Sequence, residues 1–148
     1  MGQVYEKVKA YVSKYPGGIY WFRLKKHSQI IETHLNPGEE ILFAFAGQKN
    51  DSLFDVFSTS VIVLTKDRIL MGQKRLLWGY ALTGITPDLF NDLQVYEGVL
   101  WGKIVIDTVK ECVTISKLAK KALPEIETAI SSYMMEEKKK YNTVYVKK

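Results

Sequence analysis

At 148 residues the chain suits one domain with an appendage, long enough to fold around a core without disulfides or metal. With 47% hydrophobic and 25% charged residues it excludes a disordered or fibrous chain. The net charge of +5 is uneven: residues 1–35 and 117–148 each carry a surplus of four basic groups, while 36–116 carry a deficit of three.

The single cysteine, Cys112, excludes an intramolecular disulfide and a cysteine-based zinc site. The first seven residues lack an apolar signal core, and no stretch reaches the roughly 20 apolar residues of a membrane span, so a cytoplasmic location is expected.

In chain order, Val4, Val8, Tyr11 and Val12 fall at helical spacing, and the spacing predicts a helix over 3–14 that ends at Tyr15–Pro16–Gly17–Gly18. A second helix is predicted from Tyr20 to His34, with Trp21, Leu24, Ser28 and Ile31 on one stripe and Asn36–Pro37–Gly38 as its stop. From Glu40 the period shortens. Glu40 to Ala46 reads as a strand with little room for a polar face, and Gly47 to Ser52 as a polar loop. Phe57 to Thr65 and Arg68 to Gly72 flank a Lys66–Asp67 turn. Lys74 to Ala81, Asp88 to Val95, Val99 to Asp107 and Cys112 to Ser116 complete seven strands, with a bulge or break expected near Gly84–Pro87–Asp88.

The helical period then returns. Leu123, Ile126, Ile130 and Met134 mark one face of a long helix, and Pro124 suits its first turn or a kink. The tail, Tyr141 to Val146, has strand propensity and suggests an added edge strand or an exchange between subunits.

These pieces, in this order, resemble the bacterial pleckstrin-homology-like (PH-like) domain family. The matching residues are Gly38–Glu39–Glu40–Ile41–Leu42, the hairpin Val61 to Leu70 with its Thr65–Lys66–Asp67–Arg68 corner, Trp101 to Ile106, and the 123–134 helix. The resemblance covers about residues 38–137. It implies a mainly β (α+β) fold: a strongly bent, antiparallel, seven-stranded barrel capped by a C-terminal helix and preceded here by a helical pair. The expected divisions are 1–35 for the helical appendage, 36–138 for the barrel with its helix, and 139–148 for a basic tail. In this frame Arg68 braces the hairpin turn rather than touching a ligand. Eukaryotic relatives bind inositol phosphates through a basic first hairpin; here that loop is Gln48–Lys49–Asn50–Asp51–Ser52, followed by Asp55, whose balance of charge speaks against phosphoinositide.

No motif carries catalysis. His27 and His34, two turns apart, lack a third metal ligand. Cys112 has no histidine near it in sequence, and no glycine-rich phosphate loop occurs. No cofactor, metal or catalytic residue is therefore expected. The expected function is a non-catalytic binding or assembly module that contacts a protein partner or its own copies. The contact residues suggested are Trp101, Lys103 and Val105 on an outward strand face, the aromatic Tyr20, Trp21 and Phe22, and the tail residues Thr143, Val144, Tyr145 and Val146. If Ile104 and Ile106 point inward, Trp101 is either covered by the N-terminal helices or left as a contact surface. The alternative is nucleic-acid or anionic-membrane binding through the basic ends.

Overall fold

The computed structural model describes residues 2–17, 23–49, 59–75 and 78–146, with side chains through 140. Two helices, α1 (Gln3–Lys14) and α2 (Leu24–His34), precede seven strands: β1 (Ile41–Lys49), β2 (Thr59–Thr65), β3 (Ile69–Lys74), β4 (Tyr80–Ile85), β5 (Phe90–Glu97), β6 (Gly102–Thr108) and β7 (Cys112–Leu118). A short 3₁₀ turn at Lys120–Ala122 leads into α3 (Leu123–Glu127), which runs through a wider π turn (Thr128–Ser132) into α4 (Tyr133–Val146).

The strands form one antiparallel sheet in the order β4-β3-β2-β1-β7-β6-β5. Among the described residues no ladder joins β4 to β5, so the expected barrel is an open sheet rather than a ring closed by hydrogen bonds. β1 is the hinge of the arrangement. It pairs with β2 along most of its length and with β7 only at Gln48 and Lys49.

Every residue of β2 is buried, because one face looks into the sheet's core and α2 packs on the strand, while α1 packs on the neighbouring β1. The packing of α1 on β1 accounts for the lack of polar residues in the Ile41–Ala46 run, of which only Leu42 is exposed. Val4, Val8 and Tyr11 from α1 and Ile31 from α2 join the same core as Phe45, Ile62 and Leu70. The N-terminal helices therefore dock on their own sheet. Gly72 permits this approach: a Cβ there would lie 2.8 Å from Ile31 Cγ1. Glu32 accepts a hydrogen bond from the Val4 N–H at 2.9 Å, anchoring the start of α1. At the other end the Tyr15 hydroxyl donates to Glu125 at 2.5 Å, tying α1 to the C-terminal helix.

At the chain's other end, Leu123, Ile126, Ile130 and Met134 are all buried, as their spacing predicts. Pro124 sits in the first turn of α3, where its missing N–H costs nothing.

Several boundaries differ from the sequence reading. α2 begins at Leu24, because Arg23 adopts a left-handed φ of 53° that no continuing helix permits. Tyr20, Trp21 and Phe22 lie outside the described residues. β1 runs on through Gly47–Lys49, since Gln48 is buried with a partner: its side-chain amide donates to the Thr59 hydroxyl at 2.6 Å. Lys74 to Ala81 is not one strand. β3 ends at Lys74 and β4 begins at Tyr80; between them the Arg75 N–H donates to the Gly79 carbonyl, and Gly79 takes φ 79°, a value glycine accepts freely. The break expected near Gly84–Pro87–Asp88 is present: β4 ends at Ile85, a turn closed by the Leu89 N–H and the Thr86 carbonyl follows, and β5 begins at Phe90, with a further register shift between Phe90 and Asp92 in the β5–β6 ladder. Thr143, Val144, Tyr145 and Val146 belong to α4 rather than to a strand. Extending an existing helix costs less than starting a new ladder, so the preceding turns outweigh local strand propensity.

Candidate functional site

The sheet's two halves present different outer faces. Among the described residues, α1 and α2 pack chiefly on β1–β3, and α3 and α4 meet β5. β6 alternates strictly: Gly102, Ile104, Ile106 and Thr108 are buried, and Lys103, Val105 and Asp107 are half-exposed on the other face. Ile104 and Ile106 thus point inward, and Lys103 and Val105 share the outer face. Register sets Tyr96 of β5 beside Lys103, and Gln94 beside Val105.

The β5–β6 hairpin closes through the Gly98 N–H and the Trp101 carbonyl at 2.9 Å. Its tip holds Val99 and Leu100 in solvent, 90% and 68% exposed. Such a pair of aliphatic side chains at a turn is a feature of contact surfaces. Trp101, half-buried, lies against the Lys117 ammonium, 5.9 Å from ring centroid to Nζ. The Lys103 ammonium lies over the Tyr96 ring at 5.4 Å. Between these pairs runs a groove of about 340 Å³ bounded by Glu97 and Ser116. Trp101 and Lys103 therefore meet at one groove, with Val105 farther along the same face. The Tyr20–Phe22 group falls outside the described residues, and the tail contributes a helix whose side chains are not described.

Two components were missed in the sequence. Val99 and Leu100 read there as the start of a strand, although the flanking Gly98 and Gly102 signal a turn. Lys117 reads as one more terminal cation, and only the ladder shows that it occupies an irregular position in β7.

The other conspicuous polar groups are structural. Glu39, its side chain fully shielded, accepts from Arg68 Nε and Nη2 at 3.0 Å each, from the Thr65 hydroxyl at 2.6 Å and from the Asn36 N–H at 2.9 Å. Burial raises its pKa, but Arg68, Asn36 and Thr65 together outweigh burial and hold it down at about 2. Arg68 also donates to the His34 carbonyl, so it braces the corner between α2 and the β2–β3 turn. His27 Nδ1 accepts from the Lys74 N–H at 2.8 Å, while His34 Nε2 meets the Tyr80 hydroxyl at 3.1 Å. The two histidines thus serve separate partners, and no group of three or more metal-ligating side chains occurs among the described residues. The exposed Cys112 thiol donates to Asp107 at 3.3 Å, a bond that pushes its pKa up and suppresses the thiolate. No helix among the described residues is long and apolar enough to cross a membrane.

A family model described as Bacterial PH domain matches residues 35–132, about two thirds of the chain. The chain belongs to the bacterial PH domain family. Its fold is similar to the crystal structure of a pleckstrin homology domain from Shewanella amazonensis SB2B, with a TM-score of 0.52 at 13% identity, covering 78% of this chain and 90% of that one. No curated protein matches the chain. The family match begins at Leu35, directly after α2, so α1 and α2 lie outside the matched residues.

Proposed function

We propose that this PH-like domain is a non-catalytic protein-contact module whose working surface is the outer face of β5–β7 with the 98–101 tip. The carrying observation is the exposed Val99–Leu100 pair beside Trp101 at the tip of the β5–β6 hairpin. Placing these side chains against a partner removes apolar area from water, at about 25 cal/mol per Å². Among the described residues β4 and β5 also lack outer strand partners, which offers a route to strand addition. The non-catalytic reading is supported by the raised Cys112 pKa and by histidines engaged in structural hydrogen bonds. Contact with a second copy is the form tested first. Light scattering coupled to size-exclusion chromatography should show concentration-dependent association of the wild type that Leu100→Asp abolishes. A strict monomer at the highest soluble concentration removes the self-association form.

A second reading uses the exposed Lys25, Lys26 and Lys121 for nucleic acid or anionic membrane. It competes with internal use of the basic segments: Lys9, Lys14 and Lys140 form ion pairs within the chain, and Lys138 donates to the Phe90 carbonyl. It predicts binding that falls steeply with salt.

A further inference from the structure

The cations of this chain divide by use. Lys9, Lys14, Lys66, Arg68 and Lys140 hold carboxylates within the chain. Lys25, Lys26, Lys74 and Arg75 form no ion pair among the described residues. Folding brings these four together. The Arg23 guanidinium donates to the Arg75 carbonyl at 3.3 Å, and the Lys74 N–H donates to His27 Nδ1 at 2.8 Å. These two bonds set the first turn of α2, which carries Lys25 and Lys26, against the end of β3. Lys25, Lys26 and Arg75 are exposed and Lys74 is half-buried. Neither 23–31 nor 69–86 contains an acidic residue, so both segments present positive charge alone. Between β3 and β4, on the same side of α2, Trp78 is 78% exposed. A large indole left in water beside unneutralised cations marks a surface that meets something else.

We infer that this patch docks on an anionic bilayer surface, with Trp78 at headgroup depth and the four cations over the lipid phosphates and carboxylates. This rests on the second reading above and gives it one surface and one partner. Three features select a bilayer over a nucleic acid. The indole of Trp78 is amphipathic, and at a membrane interface its apolar ring and its N–H are both accommodated. A nucleic acid is held by successive stacking platforms, but the neighbouring Tyr80 is already engaged: its ring lies 5.1 Å from that of His34 and its hydroxyl 3.1 Å from His34 Nε2. The cations come from a helix and a strand end around one exposed residue, an arrangement that a flat anionic surface meets all at once. Lys25 and Lys26 lie outside the residues matched to the family, so the patch depends on a helix that the match does not include.

The test is co-sedimentation of the full chain with vesicles of phosphatidylcholine alone and of phosphatidylcholine mixed with phosphatidylserine, beside a gel shift with single-stranded DNA. The chain should pellet with the mixed vesicles and not with phosphatidylcholine alone, and the bound fraction should fall as salt rises. Arg75→Gln should weaken binding about fivefold, and Lys25→Gln combined with Lys26→Gln about twenty-five-fold. Lys121→Gln, at an exposed position on another element, should leave it unchanged. Bromine carried near the top of the acyl chains should quench tryptophan fluorescence in the wild type and much less in Trp78→Phe. All of these positions are exposed, so the variants keep the fold. The assignment is overturned by equal pelleting with phosphatidylcholine alone, or by quenching that Trp78→Phe leaves undiminished. A DNA complex tighter than vesicle binding and lost in the same variants would make the patch a nucleic-acid surface and also overturn it. If Lys121→Gln weakens vesicle binding while the Arg75 and Lys25–Lys26 variants retain it, the basic-surface reading stands and this patch fails. No pelleting at low salt together with no DNA complex removes both.

Discussion

Glu39→Gln isolates the ion pair that braces the β2–β3 corner. In the folded chain the carboxylate has a pKa of about 2 against an ordinary 4.5. Each unit is worth about 1.4 kcal/mol, so ionised Glu39 contributes up to about 3 kcal/mol. Because the folded pKa lies below the unfolded one, this contribution is complete above pH 4.5 and is lost as pH falls toward 2. Glutamine keeps the shape and some of the hydrogen bonds but leaves the Arg68 guanidinium without its counter-charge. Urea denaturation at pH 7 should show a deficit approaching about 3 kcal/mol, and thermal unfolding a fall of roughly 6–12 °C. By pH 3 the gap between wild type and variant should shrink by about 2 kcal/mol. A gap below about 0.5 kcal/mol at pH 7, or one that does not change with pH, would refute the assignment of Glu39 and Arg68 as a stabilising pair.

Two further substitutions probe how the added helices and the C-terminal helix are fitted. In Gly102→Ala the new Cβ would lie 2.4 Å from Leu123 Cδ1, so stability should fall by about 1–3 kcal/mol in urea, and no change would mean that α3 does not press on β6. Tyr15→Phe removes the hydroxyl bonded to Glu125; it should cost about 0.5–1.5 kcal/mol and speed amide exchange in α1 before the strands.

Much of the fold was legible because its signals were local. The 123–134 stripe, the 3–14 helix and the Thr65–Arg68 corner are written in residue spacing, and the structure places them with their apolar residues buried. The features read poorly depend on distant partners. Gln48 looks like loop chemistry until Thr59 is set beside it, and the Lys74–Ala81 run reads as one strand although β3 ends at Lys74 and β4 begins at Tyr80. The tail shows the opposite error, with local strand propensity overridden by the helix that precedes it. Of the candidate site, the outward phase of Lys103 and Val105 followed from alternation along β6. The Lys117 bulge did not, because an extra residue in β7 is visible only against the register of β6.

The central claim is that the 98–101 tip meets another protein chain. Site-specific photocrosslinking in intact cells tests it most directly, with a benzoylphenylalanine placed at Leu100 and, as a control, at the exposed Lys9 on α1. The account predicts a discrete protein adduct from position 100, to a second copy or to a partner, and none of comparable yield from position 9. No adduct from position 100, or equal diffuse crosslinking from both positions, would contradict it.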